Sequence, residues 1–190
     1  MSIIESTRRF MADLDLDTLR AAEVSAKEHS RHSLGAELSL RDLLELLVAA
    51  KVVAAGDDFV RGEAQGLRMW LTRHAMPMAV QQYLLDVDVG HWRFEDLGSR
   101  LTAPASLEAR RLLWLVAMLA SFEGLRRTAR TRIETLGARL GLPPCVVQVM
   151  IEEAQITVSA LLRGDDPLLR RLIQLRGAIF SLETAAATGS

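Results

Sequence analysis

The chain has 190 residues, of which 49% are hydrophobic, 25% charged and 5% aromatic, with a formal net charge of -1. This balance suits one globular domain with a large core, excludes extensive disorder, and supplies no global field toward nucleic acid or anionic lipid. A single cysteine, Cys145, excludes an intramolecular disulfide framework and a multi-cysteine zinc site.

The first residues, MSIIESTRRFMADLD, have no apolar leader segment. The longest near-continuous apolar stretch, Leu112 to Phe122, covers eleven residues. A bilayer span needs roughly 20, so this stretch is expected to be a buried helix in a cytoplasmic protein without a membrane span.

Leu, Ala, Arg and Glu dominate, with five prolines and one tyrosine, which predicts an all-α fold. An opening segment, 2–14, precedes a helix near 17–30 that Asp15 or Asp17 can cap, and RHSLGAELS then breaks the pattern. Ser39 and Asp42 form a capping-box-like start for LRDLLELLVAAKVVAA, which is apolar on nearly every side and should be central. Further helices are predicted near 61–74, 78–88 and 91–101. Ser106 caps an apolar helix over 107–122. The next helix ends at Gly141, which suits a left-handed C-terminal turn, and Pro143 and Pro144 open another, since proline is tolerated in a first helical turn. Asp165, Asp166 and Pro167 start a last helix to about Leu182, and the tail ETAAATGS is expected to fray.

Sliding the chain by 66 residues lays 45–88 on 111–154 without a gap, with eight of 44 positions identical. The order of parts is the same in both copies: apolar helix, turn, amphipathic helix, proline-initiated helix. Each copy has an apolar face that the other can cover, so one pseudo-twofold core is expected.

Residues 40–155 resemble the TerB-like domain, named for tellurite-resistance proteins and also found in a membrane-anchored DnaJ-type co-chaperone. The resemblance rests mainly on SLEARRLLWLVAMLASFEG followed by RIETLGARLGLPPCVV, with FEDLGSRL in the place of the family's connecting helix. It implies an all-helical fold of about seven to nine helices. Taken with the repeat, the expected layout is a single compact multi-helix domain with two pseudo-repeated three-helix units over 39–155, an N-terminal helical extension over 1–38, and a C-terminal helix over 156–183. The family's turn reads Ala-Asp-Gly followed by acids. Here the first copy has Ala55-Gly56-Asp57-Asp58, and the second has Ser121-Phe122-Glu123-Gly124 and then arginines.

Asp57, Asp58 and Glu63 are the densest acidic cluster and a candidate Ca²⁺ or Mg²⁺ site, with Asp86 or Asp88 as further oxygen donors. An EF-hand is excluded, because a count from Asp57 puts Phe59, Arg61 and Arg68 at ligand positions. The competing reading is a helix cap, with Glu63 in the first turn favoured by the helix dipole. Arg126, Arg127, Arg130 and Arg132, with Arg110 and Arg111 before them, form a candidate patch for an anion or an acidic partner. No aromatic residue interleaves with them and Glu108, Glu123 and Glu134 balance them, which favours a solvated face over nucleic-acid binding.

His29 and His32 share a helical spacing but lack further ligands for zinc, and read as surface residues. His74 and His91 are isolated. Cys145, in a first helical turn, is the candidate nucleophile of an alternative reading as a hydrolase or redox enzyme; its repeat equivalent, Ala79, suggests a small packed side chain instead. Trp70, Trp92 and Trp114, with Met69, Met76, Met78 and Met118, are expected to fill the core. The resulting expectation is a non-catalytic interaction or adaptor protein linked to bacterial stress, with a protein partner and homodimerisation open; a divalent-cation sensor is the alternative binding function.

Overall fold

The computed structural model describes residues 2–54, 61–73, 75–122 and 124–181, with the side chains of residues 61–63 and 65 outside the description. These residues form helices and no strands: α1 (Ile3–Ala12), α2 (Leu16–Leu34), α3 (Leu40–Ala54), α4 (Arg61–Arg73), α5 (Met78–Asp86), α6 (Ser99–Thr102), α7 (Leu107–Ser121), α8 (Arg127–Arg139), α9 (Pro144–Arg163) and α10 (Asp166–Ser181). A short 3-10 turn, Phe94–Asp96, precedes α6.

The caps follow side-chain chemistry. Ser2 and Glu5 make a reciprocal capping box that makes the opening segment a helix. Asp15 accepts from the Thr18 N–H at 2.8 Å to start α2, and the Ser39 hydroxyl accepts from the Asp42 N–H at 3.1 Å to start α3. Ser106 caps α7 as expected. α2 runs through Arg31 to Leu34 before Gly35 turns left-handed, so RHSL continues the helix instead of breaking it.

The helix predicted over 91–101 is not formed. Trp92, Leu97 and Leu101 are the buried residues of this segment, and the step of five between the first two places them on different sides of a 3.6-residue helix. The chain therefore folds as a 3-10 turn, a break at Gly98 and the short α6, which brings all three into the core.

α7 runs through the centre, with twelve of its fifteen residues buried, packed between α3 and α9 and touched by α4, α6, α8 and α10. α1 packs on α3, and α10 packs on α9 and α2. α8 comes close to α9 because Gly137 lacks a side chain, where a Cβ would lie 2.4 Å from Val147 Cγ2. Among the described helices α9 is long and apolar enough to cross a membrane by composition alone; here it packs against α7, α8 and α10 and buries Glu153. It also continues unbroken through residues 155 and 156.

Charged side chains tie the layers together. Buried Lys51 of α3 donates to the carbonyls of Leu84, Leu85 and Val87 at 3.2, 2.8 and 2.8 Å, holding the C-terminal end of α5. Burial pushes its pKa down, against the pull of Asp86 and Asp88. Arg110 and Arg111, expected with the α8 arginines, are instead buried on α7. They donate to the carbonyls of Phe180 at 3.0 Å and Leu34 at 3.1 Å, fastening α10 and α2 to the core.

Candidate functional site

A cleft of about 450 Å³ opens where α2, α4, α9 and α10 meet over α7. Its floor is a buried polar network. Arg176 donates from Nη2 to Glu153 Oε1 at 2.7 Å and to Thr157 Oγ1 at 2.9 Å, from Nε to Glu153 Oε1 at 3.1 Å, and from Nη1 to the Ser33 carbonyl at 2.8 Å. Thr157 donates to Glu153 Oε1 at 3.0 Å, and the Trp114 indole N–H donates to Glu153 Oε2. The guanidinium also lies 3.8 Å from the Trp114 ring centre. Burial, the larger influence, pulls the Arg176 pKa down, and the Glu153 carboxylate opposes it.

These groups belong to four helices that position them by packing. Arg176 lies on the buried stripe of α10 with Leu169, Leu172, Ile179 and Phe180. Glu153 lies on that of α9 among Met150, Ile151, Ala154 and Thr157. A charged residue on an otherwise apolar helical stripe is a signal legible in sequence, and it marks both positions. Either charge alone would be strongly disfavoured there; together, with every oxygen of Glu153 bonded, they form a rigid floor.

Above the floor, Leu161, Leu169 and Ile173 supply an aliphatic wall and Trp70 an aromatic one. His29 meets Trp70 edge-on with ring centres 3.8 Å apart, and its Nδ1 lies 3.3 Å from the Ser33 hydroxyl. His29 is thus buried, not a surface residue: α10 and α4 cover the face of α2 that carries it. Its neighbour His32 is exposed, with Nδ1 donating to the Glu28 carbonyl at 2.7 Å. The rim carries Glu28 and His32 on α2, Arg73 on α4, and Asp166 and Arg170 on α10. Arg73 and Asp166 form an ion pair across it.

The residues singled out from sequence lie mostly elsewhere. Asp57 and Asp58 lie outside the described residues, as do His74, Glu123 and the side chain of Glu63. Asp86 accepts from Gln82 at 2.6 Å, and Asp88 accepts from the Gly90 N–H at 2.9 Å. Among the described residues no three His, Cys, Asp or Glu side chains gather as a metal centre.

On α8, Arg130 pairs with Glu152 at 2.5 Å and with Glu134 at 3.5 Å. Arg126 and Arg132 also have partners, and Arg127 is exposed at the first residue of the helix. Arg132 contributes to a second cleft of about 500 Å³ with Trp92, Phe94 and Arg139; Arg139 stacks 3.8 Å over Phe94. The fold thus brings aromatic rings to arginines that have none beside them in sequence. Cys145 is a free, exposed thiol on the first turn of α9, not a packed side chain. Trp70, Trp92, Trp114, Met76 and Met118 are buried as expected, whereas Met69 and Met78 are exposed.

Comparison of the chain with protein-family models, with curated proteins and with solved structures finds no match.

Proposed function

We propose that the protein is a non-catalytic helical interaction module of the TerB-like kind, with the α2–α4–α10 cleft as its recognition site. The observation that carries this reading is the state of the floor: the polar groups of Glu153, Arg176, Trp114 and Thr157 bond one another. Such a floor is a preorganised surface for binding, with its strongest acid and base held in a mutual ion pair.

The two-unit architecture is part of the same proposal. Offset by 66, α4 Arg61–Arg73 corresponds to α8 Arg127–Arg139, and the start of α5 at Met78 to that of α9 at Pro144. Both α4 and α8 end in a left-handed residue, Ala75 with φ 50° and Gly141 with φ 66°. In both, the next N–H returns five residues back, Met76 to the Leu71 carbonyl at 3.2 Å and Leu142 to the Gly137 carbonyl at 2.9 Å. Matching helix ends as well as matching sequence support a duplicated unit. In this reading the module acts in the bacterial cytoplasm on a protein partner within a stress response, and tellurite resistance is a family label.

A photo-crosslinking residue at position 32 or 170 on the rim, compared with one at exposed position 20, tests it. The rim positions should capture one protein that, once purified, binds with 1:1 stoichiometry and is lost on Arg170→Glu. Equal capture from position 20, or no capture from the rim, rejects the cleft as the recognition site.

A further inference from the structure

On the flank of the α9–α10 hairpin away from the cleft, apolar side chains face outward. Val149 and Ile156 of α9 and Leu175 of α10 are 48%, 46% and 49% exposed. Leu168 is half-buried beside a groove of about 340 Å³ that Ile156, Ser159 and Arg163 also line. Val149, Glu152, Ile156 and Arg163 follow one another at steps of three, four and seven, so they form one stripe along α9. Leu168 and Leu175, seven apart, form a second stripe on α10. The cleft residues Leu169, Arg170, Ile173 and Arg176 occupy the other flank of that helix.

The hairpin fixes the register between the two stripes. Arg163 ends α9, Asp166 begins α10, and Arg176 donates to Glu153 at 2.7 Å, so Leu175 stands level with Ala154 and Leu168 with Leu161. Charge along the α9 stripe is paired unevenly. Glu152 holds Arg130 at 2.5 Å, whereas Arg163 has no hydrogen bond or ion pair among the described residues.

One rotation makes this surface complementary to itself. A two-fold axis lying in the face, at right angles to both helices and midway between residues 157 and 158, sets Glu152 of one copy level with Arg163 of the other. The same axis sets Leu175 level with Leu168 of the second copy, because Glu152 and Arg163 share their midpoint with Ala154 and Leu161. The two Ile156 side chains then stand about 4.5 Å apart along α9 and meet at the centre. The stem of Arg163 lies against Val149 of the other copy while its head reaches Glu152. Arg171 and its copy face each other only at the outer rim, where solvent screens them. A surface fitted to an unrelated protein has no reason to match itself under a single operator; a two-fold interface must.

The size is also suitable. α9 has 20 residues and is about 30 Å long, and two helices side by side are about 20 Å wide, so the face outlines about 600 Å² on each copy. That is near the roughly 800 Å² per partner of a standard interface, at its small end. We infer that two copies of this chain associate through the outer face of the α9–α10 hairpin as an antiparallel, two-fold dimer, with Ile156 at its centre and Glu152–Arg163 pairs on either side. Both clefts stay open on the opposite flank of α10, so the dimer carries two recognition sites. Only that last consequence rests on the reading of the cleft; the dimer itself does not.

Sedimentation equilibrium of the full chain tests it, from about 1 to about 300 μM, the range expected of a small interface. The mass should rise with concentration from 21.0 kDa toward twice that value. Ile156→Glu should hold the chain at the monomer mass with its helical circular dichroism intact, since the side chain is half in solvent. Arg163→Glu and Glu152→Arg should each weaken self-association by at least about fivefold, because each sets like charges opposite at two symmetric places. A mixture of these two variants restores opposite charges at both places, and its mixed dimer should be at least about fivefold tighter than either variant with itself. The mixture decides the question by itself if Ile156→Glu does not fold. A monomer mass throughout, a dimer that Ile156→Glu leaves intact, or a mixture no tighter than its components overturns the inference. A dimer lost on Arg170→Glu but not on Arg163→Glu would place the interface at the cleft, and would overturn this inference and the reading of the cleft as a site for another protein.

Discussion

Glu153 and Glu152 are adjacent residues of one helix, each in an ion pair with an arginine, and the same substitution should affect them very differently. The Glu153 and Arg176 side chains are 2% and 4% exposed; those of Glu152 and its partner Arg130 are 56% and 36% exposed. Glu153→Gln leaves the Arg176 guanidinium buried without a counter-charge and turns an amide N–H₂ toward other donors. Breaking one side of a buried pair typically costs about 3–5 kcal/mol, a large part of the roughly 5–15 kcal/mol total stability of a domain. At about 2–4 °C per kcal/mol for a chain of this length, the melting temperature should fall by roughly 10 °C. Glu152→Gln, on a screened surface pair, should cost no more than about 1 kcal/mol. Urea unfolding at neutral pH, followed by circular dichroism at low and high salt, separates the two, and salt should diminish only the Glu152 effect. A Glu153→Gln penalty as small as that of Glu152→Gln would mean that water reaches the pair, and the account of a rigid dry floor would be wrong.

Four further outcomes are expected. Ala75 has φ 50°, a strain of about 1–2 kcal/mol for a residue with a Cβ, while glycine's extra freedom in the unfolded chain offsets about 0.5–1 kcal/mol; Ala75→Gly should therefore raise the urea midpoint, and a lowered one refutes the strain. The repeat-equivalent Gly141→Ala should lower it, since a Cβ there meets Pro104 Cβ at 3.1 Å. Partial burial acts to raise the Asp42 pKa, but the Ser39 hydroxyl and the Arg100 guanidinium outweigh it and hold it below the ordinary 3.8. That stabilisation is present above the unfolded value and lost as pH falls through the folded one, so the stability difference between the parent chain and Asp42→Asn should shrink below about pH 4, measured as urea midpoints. Finally, if Asp57, Asp58 and Glu63 serve as a cap and first turn, about 5 mM Ca²⁺ or Mg²⁺ should leave the melting temperature unmoved. A site occupied a hundredfold above its dissociation constant would add about 2.7 kcal/mol, readily seen as a shift of several degrees.

Helix formation was legible in the chain because it is decided locally. The Ser39–Asp42 start, the Ser106 cap, Gly141 and Pro144 each act within one turn, and all have the expected role. Ser2 and Glu5 give residues 2–14 the same kind of local signal, a capping box closed within one turn. Where a local reading failed, burial prevailed. HWRFEDLGSRL has helix-forming composition, yet Trp92, Leu97 and Leu101 reach the core only if the helix is broken. Lys51, Arg110, Glu153 and Arg176 are charges on buried helical stripes, but their roles were not legible, because no spacing rule names a partner in another helix.

The sequence by itself thus determined an all-helical chain, most of its helix ends and the buried centrality of α3 and α7, since these follow from side-chain chemistry within a few residues and from apolar periodicity. Only the tertiary structure decided the site. His29, Trp70, Trp114, Thr157 and Arg176 span almost 150 positions and meet in one cleft because α10 folds back onto α2 and α9, burying a charge on each of α9 and α10 that neither helix could hold alone.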